Sequence, residues 1–163
     1  MSAPAPPPPL SKEEFEKEKK AVIAVCNTIV GTLATSGPEG RAALMTTLAP
    51  KGSATHARWN LGKGFEYESF PDELADRPKW DTPPNTIEEA MDGEPTVMID
   101  RDLAMVWSPF YFKVKGKLTH VGTNVFTLLK ARWDSDGEKT WKVTGICDTA
   151  RNPTEEERQR LDN

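Results

Sequence analysis

Apolar residues in the first third of the chain recur at a helical period. Val22, Val25, Cys26, Ile29, Val30 and Leu33 fall on one face at 3.6 residues per turn. Just upstream, Ser11 stands three residues before Glu14 as a capping box, with Leu10 and Phe15 spaced as a hydrophobic staple. The pattern predicts a long amphipathic helix that starts at Ser11, is stopped by Gly37 and Pro38, and lies on an apolar surface. A second, short helix is expected over 41–48, ended by Pro50 and Gly52.

From Ser53 the pattern changes to alternation. SATHARW predicts a strand with Ala54, His56 and Arg58 on one side and Thr55, Ala57 and Trp59 on the other. FEYESF predicts a second strand, PDELADRPKWDTPPN a loop, and TIEEAMDG one more short helix with Thr86 as its cap. The last third is the most regular: PTVMIDRD, LAMVWSPFYFKV, KLTHVGTNVFTLLKARW and KTWKVTGICDTAR read as four strands, with KG and DSDG as turns between the last three. Pro109 inside one of them demands a bulge or an edge. Helices first and antiparallel strands afterwards predict an α+β domain, a curved sheet closed on one side by the N-terminal helices.

If Lys115 and Gly116 form a two-residue turn, Val114 faces Lys117, and counting back sets Tyr111 opposite His120, Trp107 opposite Asn124 and Met105 opposite Phe126. One face then collects His120, Tyr111, Asn124 and Trp107, mixed with Met105, Phe126 and Leu128. The other collects Val106, Phe110, Phe112, Val121, Val125 and Leu129. A one-residue slip would exchange the faces of one strand against its neighbour.

Composition narrows the function classes. At 163 residues the chain suits one domain, and a net charge of -4 without a basic stripe argues against nucleic acid as a partner. No run of about 18 apolar residues is present to span a bilayer, nor a secretion signal at the N-terminus, so the expected location is the cytoplasm. The boundaries expected are a proline-rich disordered arm over 1–10, one domain over 11–152 and a charged flexible tail over 153–163. The two cysteines, Cys26 and Cys147, read as buried free thiols, and two histidines without metal-ligand spacing predict neither a metal site nor a cofactor.

VWSPFYF (106–112), GKLTHVGTNVFTLLK (116–130) and the W-K-V-x-x-I-x-x-T-A-R spacing from Trp141 to Arg151 resemble the nuclear transport factor 2-like (SnoaL-like) superfamily. Within it, the resemblance is nearest to small proteins described as lumazine-binding or nuclear transport factor 2 family proteins. It covers the last third of the chain strongly, agrees with the two helices, and gives no guidance over 60–95. It implies a cone of α+β architecture whose open end admits a small apolar or aromatic molecule, and a homodimer through the outside of the sheet. The His120 face would be the pocket, and the face with Val121, Val125, Phe110 and Phe112 the dimer surface. The steroid isomerase pattern is not met, because the strand with His56 and Arg58 carries no Asp. The dehydratase pattern is matched in residue type by His56, His120, Tyr111 and Asn124, without its spacing.

The chemistry expected is acid-base work without metal, of the lyase or isomerase kind. His120 would move a proton, Tyr111 would donate to an incipient enolate and Asp148 would orient His120. Trp107, Asn124, Phe126, Met105 and His56 would line the ligand site. Whether Cys147 or Asp148 faces the pocket is left open by the DSDG turn. A His opposite a Tyr also serves as a plain structural hydrogen bond, and a non-catalytic dimeric scaffold is the alternative to a pocket protein.

Overall fold

The computed structural model describes residues 8–32, 37–57, 61–71, 86–135 and 137–162. Its first element, helix α1 (Lys12–Gly31), begins as its sequence requires: the Glu14 amide donates to Ser11 Oγ (3.3 Å) and the Ser11 amide donates to Glu14 Oε2 (2.8 Å). The helix ends at Gly31, and Thr32 closes it by donating its hydroxyl to the Ile29 carbonyl (2.6 Å). Leu33 and the segment through Ser36 lie outside the described residues. Helix α2 (Gly37–Thr47) starts four residues earlier than the pattern suggested and runs directly into the first strand.

Among the described residues seven strands form one sheet: β1 (Leu48–Ala57), β2 (Phe65–Ser69), β3 (Ile87–Met91), β4 (Thr96–Asp100), β5 (Leu103–Val114), β6 (Lys117–Ala131) and β7 (Thr140–Arg151). Their order is β2-β1-β7-β6-β5-β3, with β4 also on β5. All pairings are antiparallel except β1 with β7, which makes the sheet mixed. Arg58 and Trp59, expected at the end of β1, and the expected loop over 72–85 lie outside the described residues.

TIEEAMDG is a strand, not the short helix expected from it. Ile87, Glu89 and Met91 pair opposite Val114, Phe112 and Phe110, so its period is two and the edge of β5 captures it. β3 and β4 follow one another along β5, and Pro109 sits where they part. The Asp92 amide donates to the Pro109 carbonyl (2.8 Å), so the missing N–H of Pro109 points into the same gap, where no ladder bond is lost.

The core lies between α1, α2 and one face of the sheet. Val22, Cys26, Ile29 and Val30 pack with Leu44, Ala54, Ala104, Val106, Phe126, Leu128, Trp141 and Val143, all buried. Each large side chain removed from water here contributes about 1.5–3 kcal/mol. Glu18 adds a polar anchor from the same helix. It accepts from Lys130 Nζ (2.6 Å) and Trp141 Nε1 (2.6 Å). Burial pushes its carboxyl up, but the bonds from Lys130 and Trp141 outweigh that and hold it below the ordinary value.

The charged tail carries a helix. Helix α3 (Glu155–Leu161) has its own capping box, Thr154 with Glu157, and Arg151 grips Glu157 with two hydrogen bonds (2.8 and 2.6 Å). Residues 1–7 of the proline-rich arm lie outside the described residues, and Pro8 and Pro9 are exposed.

Candidate functional site

The Lys115–Gly116 turn forms as expected, with φ of 51° and 74°, and Val114 faces Lys117. Three residues further on, the register departs from simple counting. Lys113 pairs with Leu118 but Phe112 pairs with His120, so Thr119 is an extra residue, a bulge whose hydroxyl donates to the Phe112 carbonyl (3.1 Å). From there upward every pair is shifted by one: Tyr111 faces Val121, Ser108 faces Asn124, Trp107 faces Val125 and Met105 faces Thr127.

The shift re-sorts the faces. His120, Gly122, Asn124, Phe126 and Leu128 share the inner, core-facing side with Phe112, Phe110, Ser108, Val106 and Ala104. Tyr111, Trp107 and Met105, expected in the pocket, lie on the outer side instead. Phe110 and Phe112, expected on the outer side, lie on the inner one. Trp107 is half exposed, and Tyr111 donates its hydroxyl to Glu88 Oε1 (2.8 Å), a bond that raises the phenol above its ordinary pKa.

On the inner side a row of polar groups crosses the sheet. Asp148 of β7 stands opposite Asn124 of β6 and beside His56 of β1. His56 Nδ1 lies 2.6 Å from Asp148 Oδ2, a distance that requires a proton between them. Asn124 Nδ2 donates to Glu89 Oε1 of β3 (2.8 Å), and Ser108 of β5 faces Asn124. Asp148, Asn124 and Ser108 are buried at 7%, 4% and 1% exposure, so this row is part of the interior. Asp148, not Cys147, points inward, and it meets His56 rather than His120. Cys147 is exposed on the outer side, against the expectation of a buried thiol.

Next to the row lies an aromatic wall. The His120 ring stacks on Phe112 (centroids 4.5 Å apart, planes at 18°) and meets Phe110 edge-on at 6.0 Å, while Thr119 Oγ1 is 3.0 Å from its Nδ1. Gly122 makes room for this wall. A Cβ there would stand 1.8 Å from the Thr149 carbonyl and 2.7 Å from the Phe110 ring. On the other flank of the row Phe126 is fully buried core, with 1% exposure.

Of the residues expected at a site, His56, His120, Asn124, Phe126 and Asp148 therefore come together on one side, and Tyr111, Trp107 and Met105 do not. Glu89 and Ser108 join the row without having been expected. Glu89 was legible only as a member of the alternation Ile87, Glu89, Met91, which the neighbouring Glu88 and Ala90 disguise as a helical run. Among the described residues no group of three or more His, Cys, Asp or Glu is placed to hold a metal ion.

Known structures share this arrangement of helices and strands. A nuclear transport factor 2 (NTF2-like) superfamily protein from Salmonella enterica superposes with a TM-score of 0.60 at 14% identity, over 86% of this chain and 95% of that one. The chain has the NTF2-like, or cystatin-like, fold. Another NTF2-like protein with a cystatin-like fold, from Novosphingobium aromaticivorans, gives a TM-score of 0.58 at 15% identity and covers 92% of each chain. The CaMKII hub of S. rosetta gives 0.54 at 15% identity, over 80% of this chain and 95% of that one. No family model matches the sequence, and no curated protein does. The NTF2-like fold thus rests on backbone geometry, and the activity has to be argued from the site. Among the described residues no helix is long and apolar enough to cross a membrane.

Proposed function

We propose that the inner-face row of this NTF2-like domain is a small-molecule site equipped for proton transfer. The observation that carries the reading is the His56–Asp148 contact at 2.6 Å, placed inside the domain beside a second polar pair, Asn124 with Glu89. Burying polar and charged groups costs stability unless every bond is made, and an apolar row would fill the same sheet more cheaply.

When the His56 Nδ1–H donates to Asp148, the ring in its neutral form presents Nε2 as an acceptor. The carboxylate fixes that tautomer and stabilises the imidazolium formed when the ring takes a proton. A carbon acid next to a carbonyl is the fitting substrate: His56 removes the proton, and returns it either to another carbon, an isomerisation, or to a departing hydroxyl, which leaves as water. Asn124 and Glu89 orient the ligand oxygen. The rings of His120, Phe112 and Phe110 supply an apolar or aromatic wall, which favours a small hydrophobic or aromatic compound. Tyr111 has no part in this reading, because it lies on the opposite side of the sheet.

The test is an NMR screen of hydroxylated and carbonyl-bearing aromatic fragments, read at the His56 and His120 imidazoles and the Asn124 carboxamide, together with native mass spectrometry of freshly purified protein. Fragments that shift these three, and lose their effect in Asp148→Leu, support the site. Fragments that shift only outer-face residues such as Trp107 refute it.

A homodimer through the outer face completes the proposal. Tyr67, Thr55, Cys147, Val125, Trp107 and Thr96 form one row across six strands without a charge, and Leu103, Trp107 and Leu129 keep 53%, 52% and 41% of their surface exposed. Val121 contributes little to such an interface, since it is already buried within one chain. Val125→Glu and Trp107→Glu are expected to sediment as monomers where the parent sediments as a dimer; a monomeric parent refutes the assembly.

A further inference from the structure

Three of the five strands that carry the polar row, β7, β6 and β3, are tied together a second time, at the surface, by the C-terminal helix. α3 bonds to β7 through Arg151 and Glu157, three residues from Asp148. It bonds to β6 through Asp162 Oδ1, which accepts from the Leu118 amide at 2.8 Å, six residues from Asn124. It reaches the end of β3 through Arg160, whose Nη1 and Nη2 donate to the two oxygens of Asp92 at 2.6 Å each, three residues from Glu89. The planar fork of a guanidinium on a carboxylate fixes direction as well as distance, which a single lysine contact does not.

β3 is where such a tether matters most. It has five residues, stands at the sheet edge and pairs among the described residues with β5 alone, and short edge strands open at low free energy. Yet it delivers Glu89 to Asn124. We infer that α3 is a strap that holds β3 in register so that Glu89 stays on the inner-face row, with Arg160 as the positioning residue. The inference deepens the site proposed above and rests on that reading for its functional meaning, not for its mechanics. A second cation, Lys19 of α1, reaches the same turn at Glu94 (2.8 Å), but by one bond to a carboxylate 78% exposed, and holds little.

The experiment uses the full chain. Backbone amide exchange in β3 and the side-chain resonances of Asn124 are followed by NMR in Arg160→Ala, Lys19→Ala and the exchanged pair Asp92→Arg/Arg160→Asp. Arg160→Ala is expected to speed β3 exchange about three- to tenfold and to move the Asn124 carboxamide, with β6 and β7 unaffected. The exchanged pair recovers at least part of both, and Lys19→Ala leaves both unchanged. Unaltered β3 exchange in Arg160→Ala overturns the strap, as does a loosened β3 with Asn124 unmoved, or an equal effect from Lys19→Ala. Neither readout needs a ligand, so failure of the strap is distinguishable from failure of the site.

Discussion

A His56–Asp148 pair kept for function, not for stability, has a thermodynamic signature that can be measured without knowing the ligand. The two side chains retain 18% and 8% of their surface in solvent, so the bond between them is made largely out of water. Asp148→Leu alone leaves the His56 Nδ1–H without that acceptor, which costs about 2–3 kcal/mol. At about 2–4 °C per kcal/mol for a chain of this size, the midpoint falls by about 4–12 °C. His56→Leu alone takes the His56 partner away from a buried carboxylate and costs about 3–5 kcal/mol. The double variant His56→Leu/Asp148→Leu removes both polar groups and puts apolar side chains in their place. It is expected within about 1 kcal/mol of the parent, a coupling of at least about 4 kcal/mol. Urea denaturation followed by tryptophan fluorescence gives the four free energies, and the fragment screen gives the matching functional loss. A double variant as unstable as the sum of the two singles would refute the reasoning, because the pair would then be contributing stability in its own right.

Gly122→Ala drives a methyl group against the Thr149 carbonyl and the Phe110 ring, and backbone cannot give way as a side chain can. It should cost about 3 kcal/mol or more in denaturant unfolding and shift the His120 ring resonances, whereas Gly93→Ala, with open space but a φ of 96°, costs about 1 kcal/mol. The Glu157 carboxyl is held down to about 2 by its bonds from Arg151 and the Thr154 amide. Its folded pKa lies below the unfolded value, so its contribution is present above about 4.5 and is lost as pH falls toward 2; NMR of the α3 amides should show the helix releasing in that window. Burial pushes the Cys26 thiol up to about 12, so a thiol reagent at neutral pH should label Cys147 alone in the native protein and Cys26 only after unfolding. Slower labelling of Cys147 as protein concentration rises would mark the outer face as the interface.

Much of the architecture was legible because its signals are local. The Ser11 and Glu14 capping box, the apolar stripe from Val22 to Val30 and the Lys115–Gly116 turn each act over a few residues, and each appears where the pattern places it. The candidate site was half legible. His56, His120 and Asn124 could be picked out as polar residues on one side of their strands, since alternation within a single strand needs no partner.

The sequence alone thus determined the class of fold, the helices that cover the sheet and the four-strand run that ends it. Which residues share a face across strands was decided only in the tertiary structure. Thr119 bulges out to bond the Phe112 carbonyl, and one unpaired residue is enough to turn Tyr111, Trp107 and Met105 away from the site and bring Phe110 and Phe112 in. The edge of β5 made a strand of TIEEAMDG and so delivered Glu89, and the β1–β7 pairing, across 92 residues of chain, joined His56 to Asp148. These outcomes depend on the free energy of long-range pairing, which no short window of sequence contains.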